Sequence, residues 1–93
     1  MEKTLFRVID ICRTNNIEQA FIQELHSNGL IEIIVQEEQE YLEEEQVLHV
    51  ERYSTWHYEL ELNVQGIEVV HNLIEKIEDL QRELRYLRAD KDI

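Results

Sequence analysis

The last third of the chain leaves the least freedom to fold. Val70, Leu73, Ile77, Leu80, Leu84 and Leu87 recur at alternating intervals of three and four residues, the a/d spacing that lays one apolar seam along a helix. The chain contains no proline, so nothing interrupts such a helix. Asn63 is a natural N-cap, and the pattern predicts a helix from Val64 to about Ala89. Ile67 and Ile74 widen the stripe at its N-terminal end, so that end is expected to pack on the rest of the chain while the distal half projects. A projecting apolar seam requires a partner. The expectation is a coiled-coil homodimer through Val70, Leu73, Ile77, Leu80, Leu84 and Leu87, with an intramolecular fold-back as the rival arrangement. Glu78 and Arg82 stand four residues apart in the favourable order for a pair on the helix surface.

The preceding residues are punctuated by Gly29 and Gly66, the two glycines of the sequence. Phe6, Val8 and Ile9 lead into Ile11 and Cys12, a short helix expected to end near Asn15 and Asn16, because Asn tolerates the left-handed conformation. Ile17, Phe21, Ile22 and Leu25 recur at helical spacing, closed by Asn28 and Gly29. Ile31, Ile33 and Val35 alternate with Glu32, Ile34 and Gln36, a strand-like run rich in β-branched residues. Gln36 to Glu40 reads as a polar turn, and Tyr41 with Leu42 as a short return strand. From Glu43 the pattern is helical again to about Glu61, with Leu48, Tyr53, Trp56 and Leu60 at roughly helical spacing. The reading is one mainly α domain, with residues 1–62 forming its head and residues 63–93 a long C-terminal dimerisation helix.

Charge narrows the function. Twenty-one Asp and Glu face nine Lys and Arg, for a net charge of -12. No Lys or Arg lies between Arg13 and Arg52, an interval that holds ten carboxylates. Paired carboxylates at helical spacing are expected by chance at this density and read as a solvated face, not as acid and base. His26, His49, His57 and His71 have neither HExxH spacing nor a neighbouring Cys, so no metal site is expected. Cys12 reads as a small core residue. With no phosphate-binding glycine loop, neither an enzyme nor a cofactor is expected. No apolar run approaches the roughly 18 residues that span a bilayer, and Met1 to Asp10 lacks the apolar core of a signal peptide. A lone cysteine fits a reducing, cytoplasmic setting.

The stretch QAFIQELHSNGLIEI, Gln19 to Ile33, looks like the second helix of a helix-turn-helix leading into a wing strand. The order helix, turn, helix, two-stranded wing, helix, long terminal helix is that of winged-helix regulators. DNA carries about one negative charge per 1.7 Å, and its binders neutralise several phosphates with Lys and Arg. Here the segment that would do so has none, and the wing VQEEQEY would be repelled. Gln19, Gln23 and Asn28 have the chemistry to read base edges, but base readout needs backbone contacts to hold register. No nucleic-acid partner is therefore expected. Were DNA bound, Arg7 and Arg13 would be the cations to test.

The segments FRVIDICRTNNI and HYELELNVQGIEVVHNLIEKIEDLQRELRYLR carry a resemblance to a known family. The layout resembles the MerR-like winged helix, and more closely its small relatives, the CbpM-type chaperone modulators. The spacing of Leu60 and Leu62, the Gly66–Ile67 pair and the leucine seam occur together, and the likeness spans nearly the whole chain. Gln65 stands where members often carry a proline. The resemblance implies a MerR-like winged helix with a short two-stranded wing and a long coiled-coil helix, bound to the J-domain of a DnaJ-like co-chaperone and restraining its stimulation of Hsp70. The alternative is a MerR-like DNA-binding transcription regulator. J-domains carry a basic surface, so the expected contact residues are the charged Glu18, Glu24, Glu37, Glu38 and Glu40, with Leu30 and Tyr41 as apolar candidates.

Overall fold

The structure, a computed structural model, describes residues 3–91. Its elements run β1 (Leu5–Arg7), α1 (Val8–Asn15), α2 (Gln19–Ser27), β2 (Ile34–Gln36), β3 (Gln39–Glu43), α3 (Glu44–Tyr58) and α4 (Val64–Lys91). The expected mainly α winged helix with a long terminal helix is what forms. The sheet is larger than expected, with three antiparallel strands in the order β1-β3-β2. β3 is the shared strand: it pairs with β1 from Leu5 opposite Glu43 to Arg7 opposite Tyr41, and with β2 from Ile34 opposite Tyr41 to Gln36 opposite Gln39.

Each helix end follows from its local chemistry. α1 stops at Asn16, which adopts φ 54°, while the Asn16 and Ile17 N–H groups both reach the Cys12 carbonyl. α2 closes with a Schellman arrangement in which Gly29 takes φ 74°, Gly29 N–H donates to the His26 carbonyl and Leu30 N–H to the Leu25 carbonyl. A side chain at Gly29 would meet no atoms but would be strained by that φ. Asn63 caps α4 as expected, its Oδ1 accepting from the Gly66 N–H at 2.8 Å. Gly66 therefore belongs to the first turn of α4, where an added Cβ would press on that same Oδ1 at 3.2 Å.

The core forms where the inner faces of four helices meet β3. Val8, Ile11 and Cys12 come from α1, Phe21, Ile22 and Leu25 from α2, Val50 and Tyr53 from α3, and Val64 and Ile67 from α4. Leu42 supplies the inward face of the shared strand. After Ile74 the described α4 residues are exposed, so the helix projects. The Cα radius of gyration of 16.7 Å exceeds the roughly 12 Å of a compact domain this long, and the protruding helix accounts for the difference.

Four expectations are corrected. The turn is shorter than Gln36 to Glu40, because Gln36 pairs with Gln39 and leaves only Glu37 and Glu38 to turn, and the return strand runs from Gln39 to Glu43 rather than through Tyr41 and Leu42 alone. The first wing strand begins at Ile34 rather than Ile31: Ile31 is drawn into the core, Ile33 packs against it, and the Glu32 N–H donates to Gln46 Oε1 at 2.9 Å instead of to a strand; Val35 is 65% exposed. α3 ends at Tyr58, and its buried face runs through Val50 and Tyr53, with Val47 and Trp56 partly covered, while Leu48 and Leu60 lie in solvent. Arg82 pairs with Asp79, three residues back, at 3.3 Å, rather than with Glu78 four residues back.

Candidate partner interface on the helix-turn-helix and wing

The backbone presents the carboxylates of α2 and the wing outward by different means. Glu18 occupies the N-cap position of α2 without using its side chain as a cap. Its backbone N–H donates to the Tyr58 hydroxyl at 3.1 Å, so the chain is fixed while the carboxylate stays in water. Glu24 is exposed on α2, at the margin of the face that buries Phe21, Ile22 and Leu25. Glu37 and Glu38 form the two-residue turn of the wing hairpin, with φ of 49° and 64°. Both positive values mark a type I′ hairpin turn, which favours Asn and Gly. Two carboxylates occupy it instead, both exposed at the wing tip.

Glu40 differs. It is half-buried, and its Oε1 accepts from Gln23 Nε2 at 2.8 Å, so the wing is tied to the second helix. That bond occupies one of the three amides with base-reading chemistry. Asn28 occupies another, donating to the Glu24 carbonyl at 2.8 Å. Gln19 lines a shallow depression with Ile9, Glu38 and Glu40. Of the apolar candidates, Leu30 packs against the core and Tyr41 is half-buried on β3. Arg7 reaches from β1 to donate to Gln39 Oε1 at 3.0 Å, and Arg13 is exposed in the last turn of α1.

His57, His71, Tyr53 and Cys12 are bound up in packing. His57 Nδ1 lies 2.7 Å from the Leu62 carbonyl, which only accepts, so Nδ1 carries the proton; the ring stacks on Phe21 at 4.4 Å. His71 joins α3 to α4. Its Nε2 is 3.0 Å from Glu75 Oε1, and its Nδ1 is 3.1 Å from the buried Tyr53 hydroxyl. With Nε2–H directed at the carboxylate, Nδ1 accepts a hydrogen bond from the Tyr53 hydroxyl. Burial pushes both the Tyr53 hydroxyl and the Cys12 thiol above their ordinary values, which keeps the thiol protonated and unreactive. Among the described residues no three His, Cys, Asp or Glu side chains are grouped to hold a metal ion, and no helix is long and apolar enough to cross a membrane.

Along α4 the seam divides. Val70 is half-buried beside the head, whereas Leu73, Ile77, Leu80, Leu84 and Leu87 lie about half exposed on the projecting part. Helical spacing on α3 misses one feature: Leu48 and Phe6, apolar and exposed, share a groove beside β1. A family model described as MerR HTH family regulatory protein matches residues 6–89. No curated protein and no solved structure matches the chain.

Proposed function

The chain belongs to the MerR HTH family of regulatory proteins, and from that premise we propose that it is a non-enzymatic chaperone modulator of the CbpM type, which binds the J-domain of a DnaJ-like co-chaperone in the cytoplasm and restrains its stimulation of Hsp70. The observation that carries this reading is the sign of the surface. Glu18, Glu24, Glu37 and Glu38 are exposed on the helix and wing that a DNA-binding relative would lay on the duplex, and no Lys or Arg occurs from Thr14 to Glu51. That surface repels phosphates and attracts a basic protein.

Exposed charge pairs contribute only about 0.2–1 kcal/mol each, so the carboxylates chiefly steer encounter and select the partner. The exposed seam on α4 supports self-association, and the reading includes a homodimer formed along Leu73, Ile77, Leu80, Leu84 and Leu87. The family description itself favours the rival, a DNA-binding transcription regulator.

Calorimetry and stopped-flow mixing with the J-domain of a DnaJ-like co-chaperone from the same organism test the proposal. The expectation is binding that weakens as salt rises, slower association for the Glu37→Lys, Glu38→Lys variant, and a lower J-domain-stimulated ATPase rate of Hsp70. No heat at low salt, together with nanomolar and sequence-selective retention of a promoter fragment against bulk DNA, would replace the modulator with the regulator.

A further inference from the structure

Between the β1–α1 corner and α3 lies an open groove of about 670 Å³. Leu5, Phe6, Val47 and Leu48 give it apolar walls. Leu48 is 61% exposed although its helix buries Val50 and Tyr53 on the other side. The groove's charge is mainly negative. Asp10, Glu44 and Glu51 line it, and none has a cationic partner among the described residues. Arg7, the one lining cation, donates to Gln39 Oε1 of the wing at 3.0 Å.

The spacing defines what fits. Glu44, Val47, Leu48 and Glu51 fall at i, i+3, i+4 and i+7 on α3, so two carboxylates about 10 Å apart along the helix bracket an apolar centre. A helix lying along this face is matched when it carries Lys or Arg at i and i+7 and an apolar side chain at i+3 or i+4. Single-sign carboxylates without counter-ions reject an acidic or purely apolar segment in favour of a basic one.

We propose that this groove takes a basic amphipathic helix of the protein partner, seating its apolar side chain against Leu48 and its flanking cations against Glu44 and Glu51. The identity of that partner as a J-domain rests on the reading above, whereas the chemistry of the site rests on the groove. The wing then governs encounter and the groove governs residence, since desolvated apolar anchors act mainly on dissociation and rim charges on association.

The test is methyl NMR on the full chain. Three probes are titrated in: a synthetic helical peptide with Arg at i and i+7 around a Leu pair, its Arg→Glu counterpart, and the J-domain. The Arg peptide is expected to shift the methyls of Leu5, Val47 and Leu48, and to bind about tenfold more weakly to Leu48→Glu and to Glu44→Lys, Glu51→Lys, with the Glu peptide silent. With the J-domain, Leu48→Glu should speed dissociation while association holds, the reverse of Glu37→Lys, Glu38→Lys. Leu48→Ser, milder and equally exposed, guards against a folding artefact. Groove methyls unmoved by the Arg peptide, or variants that bind it like the parent, overturn the proposal. A J-domain that fails to bind while the peptide binds overturns the co-chaperone reading and leaves the groove.

Discussion

Replacing Glu37→Asn and Glu38→Gly together should make the protein more stable and worse at its task. Gln36 pairs with Gln39, so the two glutamates alone turn the wing, at φ 49° and 64°. A left-handed conformation costs an ordinary L-residue roughly 1–2 kcal/mol, because Cβ crowds the following carbonyl, whereas Asn and Gly tolerate it. Relief at two positions is partly offset by about 0.5–1 kcal/mol, the extra freedom Gly gives the unfolded chain. Neither side chain is buried, so no packing is lost. The net gain is about 1–3 kcal/mol, each kcal/mol being about 4–8 °C in Tm for a domain of this size. Urea unfolding at fixed protein concentration should show a higher midpoint with an unchanged slope. The same variant loses two carboxylates at the wing tip, so its association with the J-domain should slow, most strongly at low salt. An unchanged or lower midpoint would refute the claim that the turn is held against its residues' preference. A higher midpoint with unchanged association would separate the turn from recognition.

Leu42 is fully buried on the strand shared by both halves of the sheet, and Leu42→Ala should destabilise by about 2–5 kcal/mol, read as partial unfolding by circular dichroism at 37 °C. Asn63→Ala removes the acceptor of the Gly66 N–H and should cost about 1 kcal/mol, with Asn63→Ser retaining most of it. Burial raises Cys12 above its ordinary 9.0, so the folded state holds that proton more tightly. The contribution is intact below pH 9.0 and is lost as pH rises through the folded pKa; Cys12→Ala should flatten the onset of alkaline destabilisation, leaving the later decline from Tyr53, raised above 10.0 for the same reason. Leu80→Asp places a charge at the middle of the exposed α4 seam, and sedimentation should then report a monomer where the parent sediments as a dimer.

How much of this was legible depended on whether a local rule or a tertiary contact decided the outcome. The long helix was legible because six apolar residues fix its phase over its length, and Asn63, Asn16 and Gly29 mark helix ends through their own backbone chemistry. α3 was legible as a helix but not in its rotation: Leu48 and Leu60 outrank Val47 and Val50 in hydrophobic bulk, yet the core selected the valine side, and Leu48 was left to the groove. β1 was missed because a three-residue strand is defined by Leu42 and Tyr41 across from it, not by its own sequence. Ile31 to Ile33 failed for the opposite reason, since β-branched residues that suit a strand served the core better as irregular chain after the α2 cap. The acidity of the candidate surface could be counted in the sequence. That Gln23 is spent on Glu40, and Asn28 on the α2 backbone, could not.

The division between core and surface makes a final prediction about what keeps this helix-turn-helix off DNA. Phe21, Ile22 and Leu25 hold α2 through its inner face, and the wing is held by backbone pairing and by Leu42, so the exposed carboxylates have little part in stability and the scaffold accepts either sign of surface. Changing Glu18, Glu24, Glu37 and Glu38 each to Lys adds two charges per site and takes the net charge from -12 to about -4. The variant should retain its Tm within a few degrees, because each exchange is on the surface and worth about 0.5 kcal/mol or less. It should also acquire DNA binding that falls steeply with salt, each phosphate newly neutralised adding about 0.9 to the logarithmic salt slope, while its association with a basic J-domain collapses. Fluorescence anisotropy with a duplex of arbitrary sequence, run across a salt series, measures this directly. A folded variant with no DNA affinity even at low salt would mean that shape, not charge, excludes the duplex, and the electrostatic basis of the partner assignment would go with it.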